Sequence, residues 1–193
     1  MSQYGTMHTK IPRERIAVCI GKEGEVKKHI EDVTRTKITI GSLDGNVLVE
    51  STPETEDPLA VWRARDIMLA IGRGFSPKRA FQLFDEDIIL EVIFLDESAS
   101  TPKALKRIRG RLIGERGKTR RIIEEFTGVS LSIYGHSVSL IGTIERVTVA
   151  KEAVQMLRKG MPHKSVYSFL DRKRRELKKA EMSLWKPASD FSI

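Results

Sequence analysis

The residues most suggestive of chemistry in this sequence are Gly117, Lys118 and Thr119, because Gly-Lys-Thr ends the phosphate-binding P-loop of NTPases. The complete pattern GxxxxGK[ST] needs a glycine five residues before Gly117, and that position holds Leu112. A P-loop also follows a strand, whereas residues 103–113 have the pattern of a helix. Spacing and context therefore both argue against a nucleotide-hydrolysing site.

The same glycine spacing occurs earlier in the chain, in the segment CIGKEGEVKKHIEDVTR at residues 19–35. Residues 20–40 align with residues 113–133 without a gap, and seven of the 21 positions are identical. The identical pairs are Ile20/Ile113, Gly21/Gly114, Gly24/Gly117, Ile30/Ile123, Glu31/Glu124, Thr34/Thr127 and Ile40/Ile133. The first segment has GEV where the second has GKT, which again argues against an NTPase and indicates an internal repeat.

The elements around each glycine pair are predicted to repeat as well. A strand (residues 7–11, then 88–95) precedes a helix opened by Pro12 or Pro102, and an amphipathic helix follows the glycines. Two alternating strands come next, at residues 37–41 and 46–50, then at 130–134 and 137–141. A final amphipathic helix ends near Gly72 or Gly160. The order is β-α-α-β-β-α, twice.

This order predicts an α+β fold of two similar units, each with a three-stranded sheet and three helices. We place the first unit at residues 1–74 and the second at residues 88–160. Residues 75–87 form a linker that is too apolar to be a free tether and is expected to pack. Residues 161–193 form a basic C-terminal helix and a tail.

Charge is concentrated in the second half of the chain. The formal net charge is +8 and the pI about 9.7, which favours a polyanionic partner, either nucleic acid or an acidic membrane surface. Residues 1–75 hold 11 basic and 11 acidic residues, so the whole excess lies after residue 75. Between residues 103 and 121 there are nine basic residues and one acid, Glu115. The second unit should therefore supply most of the attraction to a polyanion.

The remaining composition predicts a soluble, cytoplasmic protein with no membrane partner. The single cysteine, Cys19, excludes an internal disulfide and fits a reducing compartment. The first ten residues lack the apolar run of a secretory signal, and the most apolar segment, residues 88–95, is too short to cross a bilayer. The four histidines have no metal-ligand spacing and no catalytic triad is legible, so we predict no metal, no cofactor and no catalytic residue.

The chemistry left to the glycine pair is recognition of a sugar–phosphate backbone. Glycines allow a tight turn and let another backbone approach without a Cβ in the way. The helix that follows directs its unpaired N–H groups and positive dipole end at phosphates. A neighbouring aliphatic groove would then admit unstacked bases, which selects single strands. The predicted binding residues are Gly21, Lys22, Glu23, Gly24, Lys27, Lys28, Gly110, Gly114, Glu115, Arg116, Gly117, Lys118, Arg120 and Arg121.

The pattern IGxxGxxxxxIE, followed by a threonine and an alternating strand, resembles the K-homology (KH) signature in its type I element order. The second unit matches better, since the first has Ala17 where Gly110 stands and Arg35 where Gly128 stands. The resemblance implies RNA binding, with about four nucleotides held by each unit.

Two such units in a short chain, followed by VYSFLDRKRRELK at residues 166–178, resemble the archaeal form of the Partner-of-Nob-One/Dim-two family. The resemblance implies a non-catalytic factor of small-subunit ribosome biogenesis that binds near the 3′ end of 16S rRNA. Its implied partners are the Nob-type endonuclease and other small-subunit or initiation factors, and its implied location is the pre-ribosomal small subunit.

Two alternatives stay open from the sequence. One is a protein-interaction scaffold or general RNA-processing adaptor, in which one unit binds a protein partner and the other binds RNA; the neutral first unit and the apolar linker favour it. The other is a tandem-KH subunit of an exosome or a transcription factor, although no S1-like barrel segment accompanies the units.

Overall fold

The computed structural model describes residues 5–95 and 101–184. The first four residues of the predicted first unit and the predicted tail after residue 184 lie outside this range. The described chain forms two three-stranded antiparallel sheets, each packed against helices, and in each sheet the last strand along the chain lies between the other two. The predicted α+β architecture and its repeated element order are therefore confirmed.

The first unit contains β1 (Thr6–Lys10), α1 (Ile16–Ile20), α2 (Glu25–Thr34), β2 (Thr36–Ile40), β3 (Asn46–Ser51) and α3 (Ala60–Gly72). Pro12 precedes a short 3-10 turn, Arg13–Arg15, that leads into α1. Along β2, Thr36 and Ile38 are buried while Lys37 and Thr39 are exposed, which is the alternation of a half-buried strand. The buried side faces the three helices, and the other side of this sheet is largely exposed.

The second unit contains β4 (Ile88–Phe94), α5 (Pro102–Ile113), α6 (Lys118–Thr127), β5 (Ser130–Tyr134), β6 (Ser137–Thr143) and α7 (Ile144–Arg158). Pro102 occupies the first turn of α5, where its missing N–H is not needed, and the hydroxyl of Thr101 accepts a hydrogen bond from the Ala104 N–H at 3.2 Å. These local signals explain why α5 begins where the sequence predicts.

The linker between the two units packs against the first unit. It forms a short helix, α4 (Pro77–Ala80), and a 3-10 turn, Phe81–Phe84. Phe75, Ala80 and Leu83 are buried in the hydrophobic core of the first unit. Their burial removes apolar surface from water, so the linker is a part of the first unit's packing.

The outer face of the second sheet is covered by the first unit. Ile141 belongs to the first unit's core, and Ile88 and Leu90 pack against it. The hydroxyl of Ser132 donates to the Arg73 carbonyl at 2.9 Å, and a Cβ at Gly74 would lie only 2.9 Å from the Cβ of Tyr134. As a result β6 is buried on both faces, whereas an alternating strand was expected.

The predicted basic C-terminal helix is α8 (His163–Leu184), and it packs against the second unit. Val166, Phe169 and Leu170 are buried in that unit's core, among residues of α5, α6 and α7. Its basic residues lie on the other faces of the helix, with Arg172 and Arg175 exposed. No helix in the described part of the chain is both long enough and apolar enough to cross a membrane.

Candidate nucleic-acid interface

The two glycine-pair loops, residues 21–24 and 114–117, have nearly the same backbone. Gly21 and Gly114 have φ/ψ of 77°/174° and 73°/175°, and Gly24 and Gly117 have 81°/8° and 78°/13°. The third loop residue is left-handed in both, although it is not glycine: Glu23 has φ 53° and Arg116 has φ 49°. We call these segments the first and second GxxG loops.

The two glycines of each loop meet different surroundings. A Cβ on Gly114 would lie 2.2 Å from the Thr119 hydroxyl and 2.7 Å from its backbone nitrogen, and a Cβ on Gly21 would lie 2.5 Å from a Val26 methyl. A Cβ on Gly117 would meet nothing within 4 Å, and the same holds for Gly24. The first glycine is therefore required by close packing within the protein, whereas the second leaves its surface open to another molecule.

The helices after the loops begin without side-chain caps. Gly24 is the N-cap of α2 and Gly117 that of α6, and neither helix has a side-chain hydrogen bond at its start. The first N–H groups of a helix have no partner within the helix, so they are available to solvent or to an anion. Both loops therefore present amide donors and a positive dipole end beside an open glycine.

The charged residues predicted for the site divide into exposed and paired ones. Seven of these charged residues are exposed: Lys22, Glu23, Lys28, Glu115, Arg116, Lys118 and Arg121. Lys27 lies 3.6 Å from Glu31, and Arg120 lies 3.5 Å from Glu124, at equivalent positions of α2 and α6. The first group can reach a ligand directly, whereas Lys27 and Arg120 are partly neutralised by their own helices.

Several of the residues shared by the two halves hold the fold rather than a ligand. A carboxylate oxygen of Glu31 accepts the Ile38 N–H at 2.7 Å, and one of Glu124 accepts the Leu131 N–H at 3.0 Å. The hydroxyls of the paired threonines, Thr34 and Thr127, each donate to the carbonyl one turn back in their own helix. The two glutamates therefore join α2 to β2 and α6 to β5, and the two threonines bond within their own helices.

The aliphatic residues of α2 and α6 are mostly core. Ile30, Ile123 and Val26 are buried and do not form an open groove, whereas Thr119, although 2% exposed, lines a pocket beside the second GxxG loop. Ile113, at the end of α5, is 36% exposed beside the second GxxG loop. Gly110 is exposed one turn earlier, with nothing within 4 Å of a Cβ built there.

One contribution to the site was missed by sequence reasoning, and it comes from α8. A pocket of about 520 Å³ beside the second GxxG loop is lined by Gly110, Gly114, Lys118, and by His163 and Tyr167 of α8. The Tyr167 hydroxyl lies 2.9 Å from the Thr119 hydroxyl, and a ring nitrogen of His163 lies 3.0 Å from the Arg111 carbonyl oxygen. The sequence does contain a signal for this contribution: His163 and Tyr167 are four residues apart, which places both side chains on one face of a helix.

Among the described residues, no group of three or more histidine, cysteine, aspartate or glutamate side chains could hold a metal ion. The single cysteine, Cys19, is buried in α1 two residues before the first GxxG loop, and burial raises the pKa of its thiol to about 12 despite the nearby Arg15 charge. Such a thiol is a poor nucleophile, because the thiolate is the reactive form.

Comparison with known proteins agrees with this geometry. Residues 89–175 match the model of the eukaryotic-type KH domain (KH domain type I), and residues 6–59 match the model of the KH domain. A KH domain-containing protein of Methanocaldococcus jannaschii is 48% identical over 181 residues, which are 94% of this chain and 79% of that protein.

Solved structures extend the similarity to the whole fold. A chain in the crystal structure of the a/eIF2alpha–aDim2p–rRNA complex from Pyrococcus horikoshii is 52% identical with a TM-score of 0.86, covering 91% of this chain and 97% of that one. Dim2p from the same organism is 55% identical with a TM-score of 0.82, covering 87% and 99%. A protein of unknown function from Aeropyrum pernix is 38% identical with a TM-score of 0.90, covering 95% and 98%. The chain belongs to the archaeal Dim2p family of tandem KH-domain proteins.

Proposed function

We propose that this protein binds single-stranded RNA, without catalysing a reaction, during maturation of the small ribosomal subunit. The observation that carries the proposal is the open glycine at the end of each GxxG loop, followed directly by a helix that no side chain caps. A phosphate can approach the amide groups there, and no side chain fills the space. A similar chain has been crystallised in a complex with rRNA and a/eIF2alpha, which supports the assignment to rRNA.

The more specific part of the proposal is a site near the 3′ end of 16S rRNA, on cytoplasmic pre-ribosomal small subunits. The RNA would be held mainly by the second unit, where Arg116, Lys118 and Arg121 are exposed around the loop. We further propose that the initiation factor subunit a/eIF2alpha and the Nob-type endonuclease are its protein partners.

The test is a matched pair of double substitutions. Glu115→Asp with Arg116→Asp, and Lys22→Asp with Glu23→Asp, each change the loop charge by two units and touch exposed side chains only. We expect the second-loop pair to weaken binding of a single-stranded 16S 3′-end RNA by at least tenfold in a fluorescence anisotropy titration. The first-loop pair should have a smaller effect, because that unit carries no net charge.

The controls are duplex RNA of the same sequence and titration at several salt concentrations. Affinity for the single strand should fall as salt rises, since basic groups release counterions from phosphates, with a log–log slope of about 0.7 per phosphate contact. An unchanged affinity of the second-loop variant, with its fold intact by circular dichroism, would contradict the proposed function.

A second candidate function is a scaffold in which the first unit binds a protein. It is favoured by Leu59 and Trp62, which lie one turn apart at the start of α3 and are 61% and 50% exposed. Pull-down from an archaeal extract, with and without nuclease, separates the two: partners retained after RNA digestion and lost on Trp62→Ser substitution would be held by this surface.

A further inference from the structure

The pocket between the second GxxG loop and α8, which we call the α8 pocket, is not explained by the repeated KH scaffold. Its volume of about 520 Å³ lies within the roughly 300–1,000 Å³ of small-ligand sites. One wall is formed by the rings of His163 and Tyr167, whose centroids are 6.1 Å apart with planes at 56°. In the described chain, α3 of the first unit is followed by the four-residue α4, whereas α7 is followed by the 22-residue α8, so this wall belongs to the second unit.

The charged lining of the α8 pocket is mainly basic, whereas its counterpart in the first unit is mainly acidic. Arg107, Arg111 and Lys118 line the pocket together with one acid, Glu115. The same repeat positions in the first unit hold Glu14, Val18, Glu25 and Lys22. The second unit therefore has a net charge of +2 at these positions where the first has −1, so it attracts an anion more strongly.

The α8 pocket extends around α5 from Gly110, one turn before the exposed Ile113, to Arg111. Arg111 precedes Ile113 by two residues, which is about 200° around a helix of 3.6 residues per turn. The guanidinium of Arg111 donates to the carbonyls of Met161 at 2.6 Å and Leu157 at 3.3 Å, which fixes this side of α5 toward the α7–α8 connection. A ligand in the pocket would therefore adjoin bases that lie against Ile113 and reach the far side of α5 at Arg111.

We propose that the α8 pocket holds one nucleotide of the bound RNA strand, next to the nucleotides at the second GxxG loop. Its phosphate would lie at Lys118 and the start of α6, with Arg107 adding positive charge. Its base would lie against the rings of His163 and Tyr167. The hydroxyls of Tyr167 and Thr119, 2.9 Å apart, can each donate or accept a hydrogen bond at the base edge. This inference rests on the proposed function, since it extends the same strand.

The first experiment measures affinity for the single-stranded 16S 3′-end RNA in the full chain. Tyr167→Ala should lower affinity about tenfold, since base stacking on an aromatic ring is worth that much or more. His163→Ala should lower it as well. Ser168→Ala is the matched control, because Ser168 is an exposed α8 residue next to Tyr167 that does not line this pocket, and it should leave affinity unchanged.

The second experiment uses the wild-type protein, so it is independent of how the variants fold. RNAs carrying 4-thiouridine at single positions are crosslinked by ultraviolet light and the tryptic peptides are mapped. At one position the crosslink should fall on the peptide of residues 165–172, which contains Tyr167, and at neighbouring positions on peptides of the loop.

The outcomes separate this inference from the proposed function. If the second-loop variant loses binding but Tyr167→Ala does not, and no position crosslinks to residues 165–172, the α8 pocket proposal is overturned and RNA binding stands. If the second-loop variant binds normally, the proposed function itself is wrong. Adenosine monophosphate is titrated as well. If it binds wild type as tightly as the RNA does, and Tyr167→Ala abolishes its binding, the pocket is a free-nucleotide site and the proposal is overturned.

Discussion

Replacing Gly114 and Gly117 separately by alanine should lower stability to different degrees, and Gly117→Ala should also weaken RNA binding. At Gly114 the backbone, with φ 73° and ψ 175°, lies in a region that costs a non-glycine residue about 1–3 kcal/mol. The new Cβ would also lie 2.7 Å from the Thr119 backbone nitrogen, which cannot move without displacing α6, and such overpacking costs about 1–3 kcal/mol. Against this stands about 0.4–1 kcal/mol from a less flexible unfolded chain.

Gly117→Ala is expected to cost much less. Its backbone is left-handed, with φ 78° and ψ 13°, which costs roughly 1–2 kcal/mol for an L-residue, and its Cβ would meet nothing within 4 Å. After the same unfolded-state gain of about 0.4–1 kcal/mol, the net loss is roughly 0–1.6 kcal/mol. We therefore expect Gly114→Ala to lower the free energy of unfolding by roughly 2 kcal/mol more than Gly117→Ala.

The assay is urea unfolding followed by circular dichroism, with thermal unfolding as a second measure. A difference of about 2 kcal/mol corresponds to about 4–8 °C in Tm for a chain of this size. The pair Gly21→Ala and Gly24→Ala is an internal replicate, because its geometry is the same. Gly117→Ala should nevertheless weaken RNA binding, since its methyl group would occupy the space that a phosphate needs. Equal destabilisation at both positions of a loop would refute the reasoning.

Two further predictions concern residues outside the loops. Glu124→Ala should lower the free energy of unfolding by about 1.5–3 kcal/mol in urea, because the Leu131 N–H and Arg79 lose a charged partner; Glu125→Ala, exposed on the same helix, should have little effect. Cys19 should react with a thiol reagent at pH 8 only after unfolding, because burial raises its pKa to about 12. Since that pKa lies above the ordinary value of 9.0, its contribution to stability is complete below pH 9 and is lost between pH 9 and 12. Stability curves of wild type and Cys19→Ala that stay parallel through this range would contradict the pKa assignment.

The order of elements could be predicted from sequence because local residues determine where each element begins and ends. Pro102 and Thr101 start α5, and Gly128 ends α6 in a left-handed conformation with φ 74°. The predicted strand at residues 37–41 is observed one residue earlier, at Thr36–Ile40. Such signals act over a few residues, so they are present in the sequence whatever the rest of the chain does.

The packing of one unit on the other could not be predicted in the same way. In β6, Ser137 and Ser139 are buried although they are polar, because the first unit covers the outer face of the second sheet. Alternation of apolar and polar residues along a strand predicts that the apolar face of the sheet is buried. It does not indicate whether a neighbouring unit also covers the polar face. The basic run at residues 172–175 likewise indicates an exposed helix, whereas Val166 and Phe169, which lie before it, fix α8 to the second core.

The linker contributes to the difference in charge between the surroundings of the two loops. In α2, Glu31 lies beside one cation, Lys27, so the pair is neutral. In α6, the equivalent Glu124 lies 2.8 Å from Arg79 of the linker and 3.5 Å from Arg120, so one carboxylate faces two cations. Within these ion-paired groups, α6 has one cation more than its carboxylate can balance, whereas the α2 pair is balanced. The linker thus adds to the field of the second loop, and a strand that reaches both loops should be held more tightly at the second.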